Sequence, residues 1–194
     1  MTWREEFDET HALLSGHFRL SSGLHSNRYL QCALLLQWPE RARRIGDALA
    51  ALLGSFSPSV VVGPALGGVI VGHETARALG VRAVFTERKD GEMQLRRGFA
   101  FAPNEPAVVV EDVFTTGKST RETIAAVERH GARVVAAGSI VERGLAPDAL
   151  NVPWRSLLAV DAPAWPEDAC PLCAAGSPIE SPGSRHPAPG TGRL

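Results

Sequence analysis

Chemistry concentrates in one stretch, V108-V-V-E-D-V-F-T-T-G-K-S-T120. Its end, T-T-G-K-S-T, has the residues of a triphosphate-binding loop, but that loop needs G-x-x-x-x-G-K-[ST] so that its first glycine can curl the backbone round the phosphates. Counting back from Gly117, that glycine would stand at position 112, where the chain has Asp112. A carboxylate there would face a triphosphate with like charge, so both spacing and charge exclude a nucleotide triphosphatase. A phosphate site remains. Val108, Val109 and Val110 read as a buried parallel strand. Thr115, Thr116, Gly117, Lys118 and Ser119 form a polar turn, and Ile124 and Val127 mark a helix ending at Gly131. A strand, a polar turn and a helix N-terminus offer backbone N–H groups and a positive dipole end to an anion. Glu111 and Asp112 add two carboxylates beside that cradle, which suits a ligand with a phosphate at one end and hydroxyls or a cation nearby. Ribose 5-phosphate has that shape.

A run of apolar residues, two acids, two variable residues and a Thr/Gly-rich loop resembles the phosphoribosyl-pyrophosphate (PRPP) motif of the type I phosphoribosyltransferases. The resemblance extends from about Phe18 to Asp161. It implies that Glu111 and Asp112 hold the ribose and that the donor-binding segment runs on through Val113, Phe114, Thr115, Thr116, Gly117, Lys118 and Ser119. G63-P-A-L-G-G-V69 resembles the loop that cradles the donor's pyrophosphate, here Ala65, Leu66, Gly67 and Gly68. Many relatives carry a lysine in that loop, so here backbone donors or another subunit must serve. F85-T-E-R-K-D-G-E-M-Q-L-R-R-G-F99 resembles the family's mobile flap. Arg88 and Lys89 match basic residues that meet the pyrophosphate, Lys89 being the expected catalytic residue with Glu111 and Asp112. At the flap tip, where a lysine and a histidine are usual, Gly91, Glu92, Met93 and Gln94 stand instead. Arg96 and Arg97 could cover the site only if the flap folded far over; solvated strand charges are the preferred reading.

The acceptor is argued from other residues. G16-H-F-R-L-S-S-G-L-H-S-N-R-Y-L-Q-C32 resembles the N-terminal hood of orotate phosphoribosyltransferases through Phe18, Leu20, Ser22, Gly23, Ser26 and Tyr29. Ser21 replaces a common lysine, and Arg19 offers a charge nearby. Orotate carries a carboxylate, for which a planar guanidinium is the natural partner. Arg143, in V141-E-R-G144, occupies the matching place one strand beyond the motif, with Thr115 also expected near orotate. The resemblance implies Mg²⁺ held mainly by substrate, with no metal ligands from protein side chains, and a homodimer. Two other readings stay open: a purine-base phosphoribosyltransferase, and a regulator that senses PRPP without transfer.

The elements that must position these residues alternate. Trp3, Phe7 and Leu14 share a helical face, and Phe18 to Cys32 reads as strand pieces broken at Ser21-Ser22-Gly23 and Ser26-Asn27. Pro39 opens a helix to Leu53 with Gly54 just past its end. Val60 to Ala65 is strand, and Gly67-Gly68 leads into a helix to Leu79 stopped by Gly80. Val81 to Arg88 is strand, and Asp90-Gly91 signals a hairpin. Arg133 to Arg143 and Arg155 to Asp161 are further strands. The expected fold class is α/β: a type I phosphoribosyltransferase-like parallel sheet flanked by helices, with a small hood and a β-hairpin flap. One domain spans residues 1–165, with the hood mainly in 1–35 and the flap at about 86–100. Residues 166–194 form a Pro/Gly-rich tail with a C-x-x-C, partly disordered, most clearly from Pro182.

With 194 residues, a net charge of −1 and 6% aromatics, the chain fits one soluble domain and lacks the basic excess of a nucleic-acid binder. The acidic start M1-T-W-R-E-E-F-D and the absence of an apolar run of about eighteen residues argue against a signal peptide and a membrane span. Three cysteines make no disulfide framework. A cytoplasmic location is expected. C170-P-L-C173 is half of a zinc site with no second C-x-x-C after it. It reads as a small thiol-bearing turn, a metal shared between subunits being the alternative. The histidines, scattered without ligand spacing, read as structural or surface residues, and His186 falls in the tail.

Overall fold

The structure, a computed structural model, describes residues 2–20 and 22–182. Ser21, His186 and the tail beyond Pro182 lie outside the described residues. The chain opens with α1 (Trp3–Glu9), β1 (Leu13–Arg19) and β2 (His25–Leu30), followed by α2 (Cys32–Leu36) and α3 (Pro39–Leu53). Then come β3 (Val60–Pro64), α4 (Gly67–Leu79), β4 (Arg82–Lys89), β5 (Glu92–Leu95) and β6 (Pro106–Phe114). After these stand α5 (Lys118–Arg129), β7 (Arg133–Glu142), β8 (Trp154–Ala159), β9 (Ala164–Trp165) and α6 (Pro171–Ala174). Two compact units result, residues 32–160 and residues 1–31 with the chain from 161 onward.

The larger unit is a six-stranded sheet in the order β5-β4-β3-β6-β7-β8. All neighbouring pairs are parallel except β4–β5. Helices cover both faces, which explains why Val60–Val62 and Val108–Val110 read as continuous apolar runs. Side chains alternate along each strand. Val60, Val62 and Val109 therefore join Ile124 and Val127 of α5 in one cluster, while Val61 lies against Gly72 of α4. Burying one such valine contributes roughly 1.5–3 kcal/mol. Helix α3 buries Ala42, Ile45, Leu49 and Leu53, a stripe at helical spacing. It has Pro39 at its first turn, as expected. Gly54 lies just past its end, also as expected, and there the chain tightens into a 3₁₀ turn over Gly54–Phe56 and reverses at Ser57 (φ 51°). The Asp90-Gly91 hairpin is present, and both residues have positive φ (52° and 86°), as a two-residue turn matched to strand twist requires.

In the smaller unit, Thr2 and Glu5 form a capping box that starts α1. Leu14 does not share that helix. The chain leaves it at Thr10, His11 adopts φ 53°, and Leu14 enters β1. Strand β2 also runs unbroken through Ser26-Asn27, because the Ser26 hydroxyl donates to the Pro163 carbonyl at 2.7 Å and so is satisfied inside the sheet. β1 and β2 pair antiparallel, and β9 adds to β2. At the other edge, Arg19 N–H donates to the Glu180 carbonyl and Glu180 N–H to the His17 carbonyl, both at 2.8 Å. The chain from 161 to 182, with residues 166 onward expected as a Pro/Gly-rich tail, thus pairs with both edges of the hairpin. Backbone pairing, which composition does not reveal, orders it.

Candidate active site

β3 and β6 are adjacent and parallel but lead in opposite directions, β3 through α4 to β4 and β6 through α5 to β7. The loops at their carboxyl ends therefore part and leave the crevice where open α/β sheets bind ligands. Those loops are Pro64–Gly68 and Thr115–Gly117, two of the segments expected to hold the donor.

Glu111 and Asp112 stand near the end of β6 on opposite sides of the strand. Glu111 is 9% exposed. Its Oε1 accepts from Ser119 Oγ at 2.6 Å and its Oε2 accepts from Thr120 Oγ1. Burial outweighs these bonds and lifts its pKa from 4.5 to about 7, with the Asp112 charge adding to the rise. Asp112 Oδ1 accepts from the Val113 N–H at 2.9 Å, and burial raises its pKa too. Both acids are therefore poised to gain from a cationic or hydroxyl-bearing neighbour.

Gly117 has φ 72°, and a Cβ there would meet Leu150 Cδ2 at 2.7 Å. Only glycine fits this turn. No side chain caps α5, so the loop keeps its first-turn amides for an outside acceptor, apart from a long 3.4 Å bond from the Lys118 N–H to Thr116 Oγ1. Thr115, Thr116 and Lys118 are exposed, whereas Phe114 is buried against Trp154 with ring centroids 6.0 Å apart. Phe114 thus anchors the loop through the core.

The second loop meets the first through missing side chains. A Cβ on Gly67 would lie 2.5 Å from the Asp112 carboxyl carbon and from both its oxygens, and one on Gly68 would lie 2.7 Å from the Val110 carbonyl. Two glycines thus let the start of α4 close on the end of β6. Leu66 is 87% exposed and the Ala65–Leu66 peptide is cis.

Of the basic residues, Arg88 pairs with Glu122 of α5 and donates to the Gly91 carbonyl. Lys89 is exposed beside the hairpin turn. Arg96 and Arg97 both pair with Glu87, but they follow β5 in a turn, with Arg97 at φ 62°, and do not stand in a strand as expected. Arg143 follows β7, and its N–H donates to the Phe114 carbonyl at 3.0 Å, which brings it beside Thr115. Its side chain is half-buried, and burial lowers its pKa, so an anionic partner would be favourable there.

The sequence reading stops at Ser119 and misses Thr120 and Arg121. Thr120 supplies the second hydroxyl to Glu111. Arg121 braces the loop by donating to the carbonyls of Thr116 (2.9 Å) and Ala149 (3.0 Å). The adjacent hydroxyls Ser119-Thr120, on the helix that follows a buried acid, are the available signal for the first. Arg121 depends on a distant loop and leaves none. The scattered-histidine reading also needs correction, because His17 and His25 are buried beside Cys170 and Cys173.

A sequence model of the phosphoribosyl transferase domain matches residues 33–170. The orotate phosphoribosyltransferase of Thermotoga petrophila is 49% identical over 182 residues, covering 94% of this chain and 97% of that protein. That of Heliobacterium modesticaldum is 50% identical over 181 residues, covering 92% and 95%. Among solved structures, the orotate phosphoribosyltransferase of Aeropyrum pernix matches with a TM-score of 0.67 at 27% identity, over 81% of this chain and 94% of that one. The chain belongs to the phosphoribosyltransferase family and, within it, to the orotate phosphoribosyltransferases.

Proposed function

We propose that this chain transfers the 5-phosphoribosyl group of PRPP to N1 of orotate, giving orotidine 5′-monophosphate and pyrophosphate in pyrimidine biosynthesis. The observation that carries the reading is the convergence of Asp112, the uncapped start of α5 and Arg143 at the ends of adjacent strands. In the reaction the C1′–O bond breaks and the diphosphate takes the electron pair. The N1–C1′ bond forms and N1 gives up its proton. Positive charge grows on the ribose and negative charge on the leaving group, so positioning and electrostatics do most of the work.

Thr115, Thr116, Gly117, Lys118 and Ser119 grip the 5′-phosphate through backbone amides and hydroxyls. Asp112 holds the ribose hydroxyls and favours the cationic sugar, with Glu111 behind it, fixed by Ser119 and Thr120. The amides of Leu66, Gly67 and Gly68 face the diphosphate, while the Ala65 N–H donates to the Thr86 carbonyl at 2.7 Å and holds the loop in place. Arg88, once released from Glu122, and Lys89 neutralise it as it leaves. Arg143 and Thr115 read the orotate carboxylate and ring. Mg²⁺ would be bound mainly through substrate, since Glu111 spends both oxygens on hydroxyls. Bound that way, the ion would neutralise diphosphate charge while Asp112 holds the ribose hydroxyls. A homodimer whose flap serves a neighbour's site and a cytoplasmic location complete the proposal. Among the described residues no helix is long and apolar enough to cross a membrane.

The test follows orotate's ultraviolet absorbance with PRPP, with and without Mg²⁺, while adenine, hypoxanthine and uracil are assayed for pyrophosphate release. Mg²⁺-dependent loss of orotate with the other bases inert is the expected result. Transfer to another base, or PRPP binding without transfer to any, would overturn it.

A further inference from the structure

The smaller unit brings four ligating atoms together outside the donor-binding loops. His17, His25, Cys170 and Cys173 each place one nitrogen or sulfur within 4.8 Å of all the others. His17 Nε2 and His25 Nδ1 are 3.1 Å apart. Cys170 Sγ lies 3.5 Å and Cys173 Sγ 3.6 Å from His17 Nε2, and Cys173 Sγ lies 3.2 Å from His25 Nδ1. Four ligands around one tetrahedral zinc, with nitrogen at about 2.05 Å and sulfur at about 2.3 Å, would stand roughly 3.3 Å (N to N) and 3.5 Å (N to S) apart. The observed separations lie within a few tenths of an ångström of that tetrahedron.

Local structure prepares the site. His25 pairs with Arg19, so His17, two residues back along β1, is its diagonal neighbour across the hairpin. Pro171 starts α6 directly after Cys170 and places Cys173 one helical turn on. His17 Nδ1 is 2.9 Å from the Ser177 carbonyl, so its proton sits there and Nε2 turns a lone pair inward. This is how second-shell bonds orient a metal-bound imidazole. Without an ion the cluster is a poor hydrogen-bonded core, because thiols are weak donors. As a ligand set it is complete. Two soft sulfurs and two imidazoles in tetrahedral array select zinc among common divalent ions.

We propose that His17, His25, Cys170 and Cys173 form a structural Zn²⁺ site that pins the chain from 161 to 182 onto the β1–β2 hairpin. All four positions come from the protein, which leaves none for a substrate. The need for a staple is visible in the pairing. β9 contributes two residues to β2, and beyond it, among the described residues, strand pairing with β1 comes from Glu180 alone. A small unit with so little sheet gains greatly from a metal that joins residues about 150 positions apart.

Full-length protein purified from zinc-supplemented cells, under reductant and after gel filtration, is assayed for metal by mass spectrometry. About one zinc per chain is expected, with loss from both Cys170→Ser and Cys173→Ser. Stripped protein given Co²⁺ should show the intense visible bands of a tetrahedral thiolate site, absent in Cys173→Ser. A chelator should lower the melting temperature of the parent protein and leave that of Cys173→Ser unchanged. The exposed Cys173 supplies the variant if Cys170→Ser fails to fold, and the cobalt spectrum of the parent needs no variant at all. Metal-free protein that yields no tetrahedral cobalt spectrum, or zinc retained in full by both Cys170→Ser and Cys173→Ser, would overturn the proposal.

Discussion

Near the end of β6, Glu111 finds both of its partners eight and nine residues along the chain, and the loop between them leaves its amides to solvent. At the β1–β2 hairpin, His17 meets cysteines 153 and 156 residues away, and a Zn²⁺ held by the four side chains would leave no position for an incoming substrate. Both gather polar side chains in the interior, yet they solve different problems. A site that binds and releases substrate needs groups held by near neighbours while ligand-facing donors stay unspent. A site that fixes the fold needs the reverse, distant segments joined by interactions that close on themselves.

Substitutions can break this contrast. Asp112→Asn should have the largest effect, lowering kcat/KM about 10²–10³-fold by removing charge opposite the developing cation. Zinc content and melting temperature should not fall. Gly67→Ala should lower kcat/KM by about 10²-fold, because its methyl would lie 2.5 Å from the Asp112 carboxylate and push it out of position. Steady-state kinetics check both. Gly117→Ala should cost about 1–3 kcal/mol in urea unfolding, given φ 72° and the contact with Leu150.

Glu111→Gln sharpens the contrast through pH. The folded pKa of Glu111, about 7, stands above its ordinary 4.5, so between these values the native state holds a proton that the unfolded chain has lost. Stability therefore falls as pH rises through that window, by at most on the order of 3 kcal/mol. Melting curves from pH 4.5 to 7.5 should show a shallower decline for Glu111→Gln than for the parent.

The same contrast explains what can be read in the chain. The donor loop is legible because its acids, threonines and glycine are contiguous and each has a local reason for its place. The α3 helix, with Pro39 at its start and a 3–4 spaced apolar stripe, and the Asp90-Gly91 hairpin are legible for the same reason. Leu14 is misplaced by periodicity because a 3.6-residue period carries no mark of the left-handed His11 that follows the helix. The segment from 161 to 182 and the His/Cys cluster escape a sequence reading because their order comes from pairing with β1 and β2. Spacing along the chain records nothing of that. Leu66 and the flap tip Gly91, Glu92, Met93 and Gln94 carry no basic side chain, so the proposed partners of the pyrophosphate are legible only as far as Arg88 and Lys89.

The central claim is a division of labour: the β6 loop holds the donor and the residue after β7 reads the acceptor. Arg143→Ala tests it most directly, with PRPP affinity measured by calorimetry and orotate turnover by absorbance on the same preparation. The account predicts that kcat/KM for orotate falls about 10²–10³-fold, the cost of a lost charge-assisted pair, while PRPP affinity stays within about two-fold. Equal loss of both, or undiminished turnover of orotate, would contradict it.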